Sequence, residues 1–209
     1  FPFASACTGA GPSFESEAVE LFVVRAEASS AIVPRDPDTL ALIASIVRRL
    51  DGIPLAIELA AARANVLGPS QILERLERDL PDLGRAPRDE DERHTTMRAA
   101  IAWSWDLLDA DERSALAQAS VFRGGFSAEA AEAVIVTDQP VLDVLARLLE
   151  KSLLNSGPSP VARSEIRLGM FASVRDFANE KLGEARWRAW RRHAQYTLAL
   201  TEAWAGRMH

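Results

Sequence analysis

Asp51-Gly52-Ile53-Pro54 constrains this chain more than any other short segment in it. It lies between two stretches with helical apolar character. Leu40, Ile43, Ala44, Val47 and Leu50 form a stripe before it, and an Ala-rich run follows it. Glycine reaches left-handed backbone without a Cβ penalty, so Gly52 is expected to end the first helix. Pro54 has φ preset for a first helical turn and lacks an N–H that would find no partner there. The expected product is a tight helix–corner–helix with a stiff apolar tip, Pro54 followed by Leu55.

Similar punctuation organises the rest of the first half. Residues 1–12 carry Pro2, Gly9, Gly11 and Pro12 and read as an irregular lead-in. Ser13 is expected to cap a helix with Phe14, Ala18, Leu21 and Phe22 on one face. Asp36-Pro37 is a strong helix start. The helix after Pro54 is expected to end near Gly68, and Pro69 to open a fourth through Ile72, Leu73 and Leu76. Four helices with short connections predict a small bundle over residues 13–80.

Residues 81–92 hold Pro81, Gly84, Pro87 and most of the charged run from Arg88 to Arg93, and read as a linker. A second helical unit is expected over 93–183. Met97, Ile101, Trp105 and Leu108 recur at i, i+4, i+8 and i+11. Asp109 and Glu112 have capping-box spacing, Ser127 suits a short helix, and Pro140 opens another with Val141, Leu145, Leu148 and Leu149 inward. Residues 152–155 and 165–168 read as two short strands around a Gly157-Pro158-Ser159-Pro160 loop. Helices followed by one β-hairpin are the order of a winged helix. Val174, Phe177, Ala178 and Leu182 then form a stripe, and 184–209 starts a C-terminal helical region.

Composition narrows the function classes. An apolar content of 48% with 26% charged residues fits a soluble globular chain. A net charge of −6 argues against a general binder of nucleic acid or membrane surface. A single cysteine, Cys7, excludes an internal disulfide framework and fits a reducing cytoplasm. No apolar run approaches the ~20 residues of a membrane span. His94, His193 and His209 stand at no metal-ligand spacing. No Gly-x-x-x-x-Gly-Lys-Ser/Thr phosphate loop occurs, so no catalysis is expected of this chain alone.

The ordered motifs carry a resemblance. Gly52-Ile53-Pro54-Leu55-Ala56 before an Ala-rich helix resembles the Gly-Leu-Pro-Leu motif of STAND-class signalling ATPases with an NB-ARC-type module, which include AfsR-like and LuxR-like bacterial transcriptional regulators. Glu17 to Phe22 resembles the start of that family's lid domain, and Arg98 to Leu108 the opening helix of its winged-helix domain. Ser120 to Ser127 and Leu148 to Leu154 follow in the family's order. The absence of an initiator Met at Phe1 fits a portion of a longer protein.

The resemblance implies a helical lid at 13–80 and a winged helix at 93–183, belonging to a regulator that switches between ADP and ATP. The upstream NTPase domain would be the partner. Gly52, Pro54 and Leu55 would be the cofactor-binding positions, with Pro54 packed on adenine. On exchange for ATP the winged helix would move away about the linker. Many relatives carry Met-His-Asp in the winged helix, whose His contacts phosphate. Here Met170 is kept but Phe171 and Ala172 follow, and Phe171 is expected to be ordinary core. Two other readings stand beside this one. A winged helix can bind DNA, but the polar residues of the candidate recognition helix, Asp143, Arg147, Glu150 and Lys151, sum to no net charge. Trp187, Trp190 and Trp204 on one face of the last helix would suit protein interaction or self-association.

Overall fold

The computed structural model describes residues 14–79, 90–158 and 165–205. The chain divides into two compact units, Phe1–Asp82 and Leu83–His209. It is mainly helical, a small bundle followed by a winged-helix unit with one β-hairpin and a C-terminal helix.

The first unit contains α1 (Phe14–Ala28), α2 (Pro37–Arg49), α3 (Pro54–Ala61) and α4 (Pro69–Asp79). Helix α1 packs on α2 and α3, and α4 packs on α2. Phe22, Ile43, Ile46, Leu50, Ile57 and Ile72 are fully buried between them. Asp36 caps α2, accepting from the Thr39 amide at 2.9 Å and the Thr39 hydroxyl at 2.8 Å, with Pro37 opening the first turn. Expected cap residue Ser13 lies outside the described residues.

Helix α3 ends at Ala61, well before Gly68. Beyond it the amides of Arg63 and Ala64 bond to carbonyls three residues back, at 3.1 and 2.9 Å. This tighter path terminates the helix and leaves Arg63 only 7% exposed.

In the second unit, α5 (Glu90–Asp106) begins inside the charged run that reads as linker. Residues 80–89 lie outside the described set. The inward face of α5 is also rotated from the expected stripe. Thr96, Ala100, Ile101, Trp103 and Ser104 are buried, while Met97 and Trp105 are partly exposed.

Helix α6 (Ala110–Ala119) starts with the expected capping box. The Glu112 amide donates to Asp109 at 2.8 Å, and the Asp109 amide donates to the Glu112 carboxylate at 2.9 Å. Ser127 caps α7 (Ala128–Val134), and Pro140 precedes α8 (Val141–Glu150). Helix α8 turns Val144, Leu145 and Leu148 inward; Val141 and Leu149, expected with them, are partly exposed.

The strands are β1 (Asn155–Pro158) and β2 (Ile166–Gly169), antiparallel with Asn155 opposite Gly169. Strand β1 starts three residues later than the apolar run suggests, because residues 151–154 finish α8. The Ser152 amide donates to Leu149 and the Leu153 amide to Leu148, both at 3.0 Å, with Ser152 left-handed at φ 59°. Leu153 and Leu154 are consequently buried. Phe126 adds a third, one-residue strand by exchanging two 2.8 Å bonds with Leu168. Its neighbour Gly125 has φ 76°, and a Cβ there would lie 2.8 Å from the Leu168 carbonyl oxygen, so only glycine fits. The order helix, short strand, helix, helix, hairpin is that of a winged helix, with α8 in the recognition-helix place.

Helix α9 (Ala172–Lys181) buries Val174, Phe177 and Ala178. An Arg98–Glu180 pair at 2.6 Å and an edge contact of Trp105 with Phe177 join α5 to α9. A short turn over Gly183–Ala185 leads into α10 (Arg186–Ala205), which packs on α7.

Candidate functional site

Two surfaces, one in each unit, hold the residues that the sequence singles out. The first is the corner between α2 and α3. Leu50 closes α2, and the next two residues are both left-handed, Asp51 at φ 58° and Gly52 at φ 63°. The Asp51 amide donates to Arg48 at 3.2 Å and the Gly52 amide to Val47 at 3.0 Å. This is a Schellman closure in which Asp51, and not Gly52, takes the usual glycine position. Gly52 extends the left-handed path by one residue.

Pro54 then occupies the first turn of α3, behind an extended Ile53 that supplies no side-chain cap. Gly52 is buried, Leu55 is half-buried, and Pro54 is exposed. The three predicted contact residues therefore differ in what they offer a ligand. Pro54 presents a ring, Leu55 presents part of its side chain, and Gly52 acts through backbone shape alone. Pro54 thus offers an exposed ring on a fixed backbone. None of the three can supply charge to a phosphate.

The second surface is the winged helix. Phe171 is 43% exposed, which corrects the expectation that it is core. Three residues before Val174, it would join the inward stripe if α9 began earlier. Instead it is the extended residue preceding α9, with φ −60° and ψ 147°, and its ring is turned outward. At the recognition-helix position, the cations of α8 are engaged within the unit. Arg147 Nε donates to Glu112 Oε1 at 3.3 Å and Arg147 Nη2 to Gln139 Oε1 at 3.0 Å. Lys151 Nζ bonds the same Glu112 oxygen. Glu112 is 1% exposed, and a carboxylate so buried needs paired cations. Its capping role is legible in the sequence, but its pairing with residues 35 and 39 positions away is not. The exposed side of α8 shows Leu142, Asp143, Ala146 and Glu150.

Helix α10 is anchored at its middle. Arg192 donates to the Val134 carbonyl and to Gln118 Oε1, both at 2.6 Å. Gln118 in turn bonds both backbone groups of Val136, at 2.8 and 3.0 Å. His193 sits edge-on to Phe122 and Trp190, and burial lowers its pKa from the ordinary 6.5. On the outer side, Trp187 is 74% exposed, whereas Trp190 is half-buried. The Trp204 side chain lies outside the described residues.

Among the described residues no group of three or more acidic, His or Cys side chains could hold a metal. None of their helices is long and apolar enough to cross a membrane.

Comparison with known proteins finds similar mycobacterial proteins. It is 37% identical over 184 residues to an uncharacterized protein of Mycobacterium tuberculosis, and equally to one of Mycobacterium bovis, matching 83% of this chain and 44% of each relative. It is 36% identical over 177 residues to a protein of Mycobacterium tuberculosis named a putative HTH-type transcriptional regulator, matching 83% of this chain and 20% of that relative. No family model matches the chain. The chain thus spans less than half the length of the curated relatives it matches, some of which are named putative HTH-type transcriptional regulators.

Proposed function

We propose that this chain is the lid and winged-helix portion of a nucleotide-switched, STAND-type signalling ATPase that regulates transcription. The carrying observation is the exposed Pro54 ring on the doubly left-handed Asp51-Gly52 corner. A base lying on that ring gains apolar contact without any movement of the bundle. The regulatory role is supported by the naming of relatives as HTH-type transcriptional regulators. In this reading the phosphates and any Mg²⁺ are held by an upstream NTPase module, and ADP or ATP does not bind tightly to this chain alone. The chain itself contributes no catalysis. Its part is to contact the base and to convert nucleotide exchange into a change of exposed surface, a two-state element biased by ligand contacts. The exposed Phe171 cannot donate to a phosphate, so phosphate sensing through the Met-His-Asp position is not part of the proposal.

The test uses a longer chain that includes the upstream module. Calorimetric titration should show ADP binding, and Pro54→Ala should weaken it by about tenfold, the equivalent of roughly 1.4 kcal/mol. The variant should lose no more than about 1 kcal/mol of stability, the chain-entropy effect of losing a proline in a helix first turn, because Pro54 is exposed and donates no hydrogen bond. Equal ADP affinity in both proteins removes Pro54 from the site.

A further inference from the structure

Helix α10 packs on its own unit along one side and over only part of its length. Ala189 is fully buried, and Arg192, His193 and Tyr196 are partly buried on the same side. From Thr197 to Ala203 every residue is exposed, so almost two turns of helix stand out on all sides. Leu198 is 61% and Leu200 41% exposed there. A helix in water draws most of its stability from packing of an apolar face, and none of the described residues from 197 onward is buried.

Away from the packed side, α10 carries a regular seam. Trp187, Trp190, Ala194, Thr197 and Thr201 alternate at spacings of three and four residues, the repeat by which two helices meet along their length. Trp187 is 74% exposed, and Ala194, Thr197 and Thr201 are exposed with it. The two threonines bring no unmet donor to this seam. The Thr197 hydroxyl donates to the His193 carbonyl at 2.8 Å, and the Thr201 hydroxyl to the Thr197 carbonyl at 2.6 Å. Tied back to their own helix, they can be covered by another helix without losing a hydrogen bond. At the N-terminal end the turn at Gly183 and Glu184 joins Trp187 and Trp190 to outline an open groove of about 820 Å³ that runs to Leu198.

We propose that the occupant is α10 of a second copy of this chain, laid antiparallel along the same seam. The seam reads alike in both directions about a centre between Gln195 and Tyr196. An antiparallel second copy therefore sets Trp190 against Thr201 and Ala194 against Thr197, each twice. Trp190 meets a small residue, and the middle layers are small on both sides, which lets the helix axes approach. The same surface serves both copies, so the dimer is isologous. Charge favours this direction. Arg188 and Arg191 of one copy come beside Glu202 of the other, and the Arg-rich first half of each helix lies along the C-terminal half of its neighbour, the negative end of the dipole. Glu184 already shares the groove with Arg191, so the charges set direction and add little strength. Trp187 to Thr201 spans roughly 21 Å at the helical rise per residue. So short a contact belongs with interfaces below about 1,200 Å², and the association is weak and reversible. The proposal rests on α10 alone and is independent of nucleotide contact at Pro54.

Sedimentation of the 209-residue chain over a wide concentration range tests it. A reversible monomer–dimer equilibrium is expected, and Trp187→Asp and Ala194→Arg should each weaken it by about tenfold or more. Both residues are exposed, so the variants should keep the wild-type circular dichroism spectrum. Direction is read by cross-linking under mild oxidation, with Cys7→Ser as the background. A mixture of Ala194→Cys and Thr197→Cys chains is expected to give more covalent dimer than either variant alone. A strict monomer at every concentration overturns the proposal and leaves the seam to a different partner. Dimerisation that either Trp187→Asp or Ala194→Arg leaves unchanged overturns it, because the contact then lies elsewhere. Cross-linking of either cysteine variant with itself that equals or exceeds the mixture also overturns it, since parallel helices would give that result.

Discussion

Ser30, Asp51 and Ser152 hold left-handed backbone at φ 64°, 58° and 59°, at helix ends where glycine is the common choice. Each closes its helix with the same pair of bonds, as at Ser30, whose amide reaches Glu27 while that of Ala31 reaches Ala26, both at 3.0 Å. A residue with a Cβ loses on the order of 1–2 kcal/mol in that conformation, and glycine does not. Ser30 is exposed, so its replacement disturbs no packing. Ser30→Gly is therefore expected to stabilise the first unit by about 1 kcal/mol, less the extra chain entropy that glycine loses on folding. Urea unfolding should show a higher midpoint with unchanged slope. A lower midpoint would mean that the Ser30 side chain itself supports the turn. At Asp51 the same strain is placed beside Gly52, and together they give the corner a backbone path that neither would give alone. The geometry that turns Pro54 outward is thus a property of two residues, and the sequence points plainly only to the glycine.

At the scale of elements, α10 is held by few contacts, and one of them titrates. His193 packs against Phe122 and Trp190, with Arg192 beside it bonded to Val134 and Gln118. Burial lowers its pKa in the folded state below the ordinary 6.5. The unfolded chain then binds more protons than the folded one as pH falls. The stability is fully present above that ordinary value and is lost as pH falls through the lowered folded value. His193→Gln should flatten this part of the profile, below the ordinary 6.5, measured by urea unfolding at several pH values. An unchanged slope would assign the dependence to other groups. What the sequence reveals of these elements follows the range of the interactions. Asp36, Asp109 and Ser127 act on amides three residues away, and all three caps are legible. The α5 stripe and the direction of Phe171 depend on which turn of a helix meets a distant neighbour, and each differs from the periodic reading, whereas β1 starts late because α8 closes locally at Ser152. The withdrawal of Arg147 and Lys151 depends on a buried Glu112 in another helix, so local spacing carries no sign of it.

For the whole molecule, the decisive question is whether a winged helix in a chain of net charge −6 reads DNA. Relatives carry the HTH name, but the chain spans only 20% of their length, so that name assigns no DNA contact to this part of them. Duplex binding draws its affinity from neutralised phosphates, and each lost cation lowers both affinity and salt slope. Here the helix in the recognition position presents Asp143 and Glu150, while its two cations satisfy a carboxylate that is 1% exposed. Freeing them for phosphate would leave that buried carboxylate with the Asp109 amide but no cation, at a cost of roughly 3–5 kcal/mol for a broken buried pair. A positive contact with DNA through α8 would have to exceed this before gaining anything. Filter binding of the 209-residue chain to duplex DNA at low salt is therefore expected to show no micromolar, salt-sensitive association. Asp143→Arg would place a free cation on the same face and, without disturbing Glu112, is expected to raise duplex affinity above the wild-type level. Tight, steeply salt-dependent binding by the unaltered chain would instead mean that Arg147 and Lys151 leave Glu112 in the complex, and Glu112→Gln should then strengthen that binding.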